Sequence, residues 1–339
     1  VSSAGDINGD GYDDLIIGAY SADPNGSTSG SSYVVFGTGS AFAATVNLST
    51  LDGTNGFRLD GEAGGDYSGI SVSSSGDING DGYDDLIIGA NYANNNGNAS
   101  GSSYVVFGSG SAFNSTVNLS DLNGTTGFRL DGQLIIGETA GEQSGILVSS
   151  AGDVNGDGYD DLIIGAYYAD INGTSSGSSY VVFGKASAFA SNVNLSEGFT
   201  FLNGTNGFRL DGEAAGDLSG MSASSAGDVN GDGYDDLIIG AWYADNNGSN
   251  SGSSYVVFGT DNAFAATVNL STLDGTNGFR LDGEAAGDTS GKSVSSAGDI
   301  NGDGYDDLII GAWGADINES ASGSSYVVYG GAKWGASAQ

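Results

Sequence analysis

Apolar residues in this chain fall in short runs, each closed by a cluster of Gly, Ser, Asn and Asp, and the same order of runs returns along the sequence. In one full period the runs are Ile70-Ser-Val-Ser-Ser, Asp85-Leu-Ile-Ile-Gly-Ala, Ser103-Tyr-Val-Val-Phe and Gly127-Phe-Arg-Leu-Asp, designated A, B, C and D. They are rich in β-branched and aromatic residues and bounded by turn formers, which reads as four strands per period. No 3.6-residue periodicity is sustained anywhere, and 62 glycines argue further against helix.

The period is fixed by a nine-residue polar loop between A and B, which begins at Asp6, Asp77, Asp153, Asp228 and Asp299, giving spacings of 71, 76, 75 and 71 residues. Extra residues around 134–139 and 197–201 account for the two longer spacings, both between strand signals, where insertion is tolerated. Four strands per unit with radial repetition predict an all-β fold, a β-propeller of five four-stranded antiparallel blades with the polar loop between first and second strands. The expected organisation is a single domain over 1–339, with repeat units at about 1–66, 67–142, 143–217, 218–288 and 289–330 and a C-terminal tail at 331–339. Val1 falls inside strand A, and the last unit stops after strand C at Tyr326-Val-Val-Tyr, so the fifth blade is expected to lack its outer strand. A solenoid of calcium-binding nonapeptides is the competing repeat architecture, but its coils recur far more often than this.

The loops carry the chemistry. Asp6-Ile-Asn-Gly-Asp-Gly-Tyr-Asp-Asp places side-chain oxygens at positions one, three, five and nine and a backbone carbonyl at seven, with glycines where the chain turns sharply. A hard cation that takes six to eight oxygens is served by such spacing, and calcium suits it better than magnesium, which retains water. The expected ligands are Asp6, Asn8, Asp10, Tyr12 and Asp14 in the first loop, and Asp77, Asn79, Asp81, Tyr83 and Asp85 in the second. The third supplies Asp153, Asn155, Asp157, Tyr159 and Asp161, and the fourth Asp228, Asn230, Asp232, Tyr234 and Asp236. The fifth supplies Asp299, Asn301, Asp303, Tyr305 and Asp307, each Tyr acting through its carbonyl, for about five ions in all. Ordinary acidic turns would show the same residue types, but several carboxylates crowded in every loop repel one another unless a cation is held. The ninth-position Asp replaces the distant Glu of an EF-hand loop, because strand B starts at once.

Composition narrows the partners. With 42 acidic and 7 basic residues the net charge is -35, which repels nucleic acid and anionic membrane surfaces. Calcium in the loops is the natural counter-charge, and 38% hydrophobic residues suffice for a core. The absence of Cys and His excludes disulfides, thiolate and imidazole metal sites and every Ser-His-Asp or Cys-His mechanism. No apolar run reaches the roughly 18 residues that cross a bilayer as helix, so membrane insertion is not expected.

On these residues the chain resembles the FG-GAP repeats of integrin α-subunit propellers and their bacterial relatives, in which a strand is followed by Asp-x-Asn-Gly-Asp-Gly-x-x-Asp and then an apolar strand ending in Gly-Ala-Pro. The resemblance covers essentially the whole chain and implies the same calcium ligands. The sequence departs from the pattern in having Ser68-Gly69, Ser144-Gly145, Ser219-Gly220 and Ser290-Gly291 where the family has Phe-Gly, and no proline after Gly18-Ala19 or its counterparts. Family propellers commonly have seven blades, against five units here.

Other features are weaker. The B–C connections carry aromatic residues and acids, among them Tyr20, Tyr167, Tyr168, Trp242, Tyr243 and Trp313 with Asp23, Asp170, Asp245 and Asp316. In a propeller they share the face opposite the calcium loops, where they either pack blade against blade or stack on sugars. Arg58, Arg129, Arg209 and Arg280 recur in strand D, where each is expected to pair with a nearby acid or to stack on an aromatic ring, a structural use in preference to ligand binding. Twelve Asn-x-Ser/Thr sequons occur, four of them at Asn47, Asn118, Asn194 and Asn269; they mark a glycoprotein if the chain enters a pathway that uses them. No catalytic constellation is present, and neighbouring acids such as Asp13 and Asp14 point to opposite faces of a strand. The function expected is an extracellular or cell-surface, calcium-binding structural or adhesive module, including a filament or surface-assembly subunit joined through the open last blade. A lectin-like module for a glycan or protein ligand and a non-catalytic scaffold of a larger secreted enzyme are the alternatives.

Overall fold

A computed structural model describes residues 1–133, 141–195, 201–316 and 322–332. The two insertions fall almost wholly outside these residues, as does the tail beyond Ala332. The described chain is all-β apart from three single 3₁₀ turns at Leu48–Thr50, Leu119–Asp121 and Leu270–Thr272. No helix among the described residues is long and apolar enough to cross a membrane.

Repeat 1 forms β1 (Ser2–Gly5), β2 (Asp14–Ala19), β3 (Ser31–Val35) and β4 (Gly56–Asp60). Repeat 2 forms β5 (Ser71–Gly76), β6 (Asp85–Ala90), β7 (Ser102–Val106), β8 (Thr116–Asn118) and β9 (Gly127–Asp131). Repeat 3 forms β10 (Leu147–Gly152), β11 (Asp161–Ala166), β12 (Ser178–Val182), β13 (Asn192–Asn194) and β14 (Gly207–Asp211). Repeat 4 forms β15 (Ser222–Gly227), β16 (Asp236–Ala241), β17 (Ser253–Val257), β18 (Thr267–Asn269) and β19 (Gly278–Asp282). Repeat 5 forms β20 (Ser290–Gly298), β21 (Asp307–Ala312) and β22 (Ser324–Val328).

Five sheets result, each an antiparallel A–B–C–D propeller blade, with the fifth ending at its third strand among the described residues. The all-β propeller class expected from the repeat is therefore the one observed. The strand count needs correction. Three of the sheets carry a fifth strand: β8 lies parallel to β4, β13 to β9 and β18 to β14. This strand comes from the long C–D connection of the following repeat. Its Thr-Val-Asn or Asn-Val-Asn core is too short to register as a strand on its own, since a three-residue segment holds β geometry only when a neighbour supplies the ladder.

By packing, the chain separates into two units: residues 1–149 with 184–199, and residues 150–183 with 200–339. In the first, a core joins the first two blades through Ile7, Ile16, Val34, Phe57 and Leu59 against Leu86, Ile88, Tyr104 and Leu119. In the second, Val229, Ile238, Val256 and Phe258 meet Val294, Leu308 and Ile310. β6, β11 and β16 are buried along their whole length, as a strand covered on both faces must be, which explains their unbroken Leu-Ile-Ile runs. β2 buries Asp14 and Ile16, leaves Leu15 between them 48% exposed and only half-buries its last three residues.

The fifth strands are anchored by aromatic rings. Phe113, just before β8, stacks on Phe57 of β4 at 4.4 Å with ring planes 6° apart, and Phe36 closes the cluster. Phe189 does the same on Phe128 and Phe107, and Phe264 on Phe208 and Phe183. Phe42 occupies the corresponding sequence position in repeat 1 but is 54% exposed. Replacing Phe189 by Ala is expected to lower stability by about 3–5 kcal/mol, the usual cost of emptying a buried phenyl site, whereas Phe42→Ala should stay within about 0.5 kcal/mol. Urea denaturation of the two variants checks the contrast, and equal losses would contradict it.

Candidate metal sites

Each polar loop is wound around its first aspartate. The Asp6 carboxylate accepts from the backbone N–H of Gly9 and Asp10 at 2.8 and 3.0 Å through Oδ1, and of Gly11 at 2.8 Å through Oδ2. Asp77, Asp228 and Asp299 repeat the pattern, and Asp153 receives Asp157 and Gly158. Position five holds the following turn, Asp10 Oδ1 accepting from Tyr12 N–H at 3.0 Å. Gly11 has φ +88° and open space around it, so the requirement there is backbone conformation and not room.

The ninth-position aspartate opens each B strand and is buried. Asp85 accepts from Ile78 N–H of its own loop at 3.2 Å and from Gly108 N–H, just past strand C, at 2.8 Å. Asp14, Asp236 and Asp307 make the same two bonds, to Ile7 and Gly37, Val229 and Gly259, and Ile300 and Gly330. Asp161 accepts from Val154 N–H. This one side chain therefore ties the loop to the exit of the third strand.

Burial pushes Asp14 up to about 6, with Asp10 and Asp6 adding to the rise. Burial likewise pushes Asp85 and Asp236 up to about 8, against the backbone bonds that hold them down and with the loop's other aspartates raising them further. The structure thus brings positions one, five and nine into electrostatic contact. It does not converge them on one point: no group of three or more acidic side chains among the described residues stands close enough to hold a metal ion as the side chains lie. The position-three amides are turned inward, Asn79 Nδ2 lying 3.3 Å from Asp85 Oδ2, and Asn155 and Asn230 donating to Asp157 and Asp232 at 3.1 and 3.0 Å. In chemistry the donor set suits a hard divalent cation: it is all oxygen, with carboxylates at positions one, five and nine that raise one another's proton affinity and the ninth desolvated.

Position eight is not a ligand candidate and does something else. Asp84, Asp235 and Asp306 reach back to the loop of the preceding blade, where they accept from the N–H of Asp6, Asp153 and Asp228 at 2.7, 2.9 and 3.0 Å. The reading from sequence passed over this role, although an Asp-Asp pair in every loop was the signal available.

Family models match the chain as FG-GAP repeats over residues 1–35, 68–106, 147–182, 219–257 and 290–328, together more than half of its length. The chain belongs to the FG-GAP repeat family. Its integrin-like character extends to curated proteins: integrin alpha pat-2 of Caenorhabditis elegans is 28% identical over 253 residues, covering 72% of this chain and 18% of that protein. Integrin alpha-PS2 of Drosophila melanogaster is 27% identical over 282 residues, 80% of this chain and 17% of the relative, and integrin alpha-6 of Gallus gallus 27% over 162 residues, 47% and 12%. The chain spans less than a fifth of the length of these relatives.

In this FG-GAP chain the recurrent strand-D arginines are committed to ion pairs. Arg58 pairs with Asp60, Arg209 with Asp211, Arg129 with both Asp131 and Glu62, and Arg280 with both Asp282 and Glu213, at 2.6–2.9 Å. Three acids of the B–C connections are also used internally: Asp23, Asp170 and Asp245 accept from Thr28, Ser175 and Asn250 N–H, residues held at positive φ. Of the aromatics, Tyr167 lies against Tyr168 and Trp242 against Tyr243 with ring planes tilted by 33°, Lys292 Nζ is 3.4 Å over the Trp242 ring, and Trp313 is 59% exposed. Sequon residues Asn47 and Asn269 cap their 3₁₀ turns through Ser49 and Ser271 N–H.

The raised carboxylates set a pH dependence for the metal-free protein. An acid whose folded pKa lies above its unfolded value near 4 stabilises the fold most when protonated, and that contribution is lost as pH rises through the folded pKa. With excess chelator, thermal stability is therefore expected to fall between pH 5 and pH 8.5 as Asp14 and then Asp85 and Asp236 ionise. Melting curves across that range check it, and stability that climbs with pH would contradict it.

Proposed function

We propose that the chain is an extracellular, calcium-stabilised FG-GAP propeller module with a structural or adhesive role and no catalytic one. The observation that carries this reading is the buried ninth-position carboxylate of each loop, placed among other carboxylates with no basic side chain in the loop to balance it. Five repeats of an unbalanced anionic loop in a chain of net charge -35 call for a bound cation in each. Asp6, Asn8, Asp10 and Asp14 with the Tyr12 carbonyl, and their equivalents, are the groups proposed to hold it. Calcium supplies the missing positive charge and links the loop's two ends to the exit of strand C. The protein's own part is to hold the turn ready through the amide bonds to position one, and to keep position nine desolvated so that its charge is available to the ion.

The adhesive part of the reading comes from the integrin alpha subunits the chain resembles, and assembly through the third strand of the last blade, the outermost among the described residues, is its variant. A sugar-binding face on the B–C connections is less favoured, since the acids that would pair with hydroxyls already bind backbone amides of their own turns.

Binding confined to the folded state adds about 2.7 kcal/mol per site when free calcium is a hundredfold above Kd. Excess EGTA should thus lower the melting temperature by roughly 4 °C even if one site alone dominates, and metal analysis after dialysis should find about five calcium ions per chain. An unchanged melt in EGTA would sink the structural role of the ion. Uptake should also release protons near pH 7, because Asp85 and Asp236 enter the metal-free loop largely protonated; calorimetry in buffers of different ionisation enthalpy reads this, and buffer-independent heats would contradict it.

A further inference from the structure

Successive loops do not stand alone. Where loop one meets the second blade, Asp84 Oδ2 accepts from Asp6 N–H at 2.7 Å and Asp84 N–H returns a longer contact to the Asp6 carbonyl at 3.4 Å. The same two-way clasp joins Asp235 to Asp153 and Asp306 to Asp228, the return bonds being 3.3 and 3.1 Å. A second hold lies beside it: Ser109 N–H donates to the Ile7 carbonyl at 2.9 Å, Thr260 N–H to Val154 at 2.9 Å and Gly331 N–H to Val229 at 2.8 Å. A third is steric. A Cβ on Gly9, Gly156 or Gly231 would fall 2.3 Å from Cε1 of Tyr83, Tyr234 or Tyr305, so the seventh-position ring of one loop lies directly on the fourth position of the loop before it.

Both gripping groups are neighbours of groups in their own loop's metal site. Asp84 adjoins Asp85, and Ser109 adjoins Gly108, whose N–H Asp85 accepts at 2.8 Å. In an extended chain consecutive side chains point to opposite sides, so Asp85 faces its own loop while Asp84 faces the previous one. The group gripped is the backbone of Asp6, the first-position ligand of the preceding site. Fixing Asp85 in one loop therefore fixes the clasp on Asp6 in the preceding one.

We infer that the eighth-position aspartates Asp84, Asp235 and Asp306 are positioning residues that couple the metal loops of neighbouring blades, making calcium uptake cooperative between the first and second loops and among the third, fourth and fifth. The inference rests on the reading of the loops as calcium sites. By linkage the coupling acts equally in both directions across a junction. Asp13 occupies the same sequence position in the first repeat, yet it is exposed and grips no loop among the described residues, which provides a control inside the molecule.

The test is calcium titration of the 339-residue chain by isothermal calorimetry, with bound ions counted by equilibrium dialysis, for the wild type and for Asp84→Asn, Asp306→Asn and Asp13→Asn. Asn keeps the size of the side chain and one acceptor oxygen, and far-UV circular dichroism confirms the fold. Wild type should bind cooperatively. Asp84→Asn and Asp306→Asn should each flatten the isotherm and weaken one or two sites by about five- to tenfold, while Asp13→Asn superimposes on wild type. Five ions bound to independent sites, or Asp84→Asn and Asp306→Asn curves indistinguishable from Asp13→Asn, would overturn the coupling while leaving the calcium reading intact. No ion bound by wild type would overturn both.

Discussion

The rest of the structure depends on a carboxylate buried at the start of every second strand. Asp85 is fully buried and receives two backbone N–H groups, one from the loop before strand B and one from the chain leaving strand C. Through those bonds a single side chain fixes the loop and the B–C register of its blade. The arrangement is stable only if the charge is offset, either by a proton, as the rise to about 8 expresses, or by a cation. A polar group buried with its hydrogen bonds made costs little, but a buried charge without a counter-charge costs much. The loop's remaining aspartates sharpen that demand, because each raises the ninth position further.

Neighbouring repeats also complete one another at the outer edge of the blade. A three-residue strand from the next repeat covers the D strand, and a phenylalanine from the same connection stacks on the D-strand phenylalanine. Covering an edge strand removes a row of unpaired amides that would otherwise invite association. β19 carries no such strand among the described residues, and its residues are correspondingly more exposed than those of β9 or β14. The stability of such an array is a sum of blades and of the junctions between them, the nearest-neighbour regime of repeat proteins.

Much of this was legible in the sequence, for identifiable reasons. Strands B and D were readable to the residue because Asp85-Leu-Ile-Ile-Gly-Ala and Gly127-Phe-Arg-Leu-Asp carry β-branched and aromatic residues between sharp turn signals, and strand C was off by one residue. The loop ligands were proposed from oxygen spacing alone. Of the two uses the sequence left open for the strand-D arginines, pairing with an acid or stacking on a ring, the structure takes the first. The fifth strands were not readable, because Thr116-Val-Asn has no strand-forming strength until β4 lies beside it. The eighth-position aspartate was hidden for a related reason. Its partner is 78 residues away in sequence, and local spacing reports only on what a loop can do by itself.

The acidity of the chain takes on a different meaning in this light. A net charge of -35 spread at random would only repel, and four of the seven basic residues, Arg58, Arg129, Arg209 and Arg280, are spent on strand-D and inter-repeat acids instead of on the loops. Arg129 and Arg280 each bridge two repeats, through Glu62 and Glu213, and the same glutamates accept from the buried hydroxyls of Tyr104 and Tyr255 at 3.0 and 2.9 Å. Fixed cations thus neutralise the sheets, where geometry never needs to change, and the loops are left without one. A loop that carried its own arginine would have its charge balanced within the chain. The loop is left anionic and is clasped by an aspartate of the next anionic loop, so its charge is offset either by protons, as at Asp85 and Asp236, or by a cation from solution.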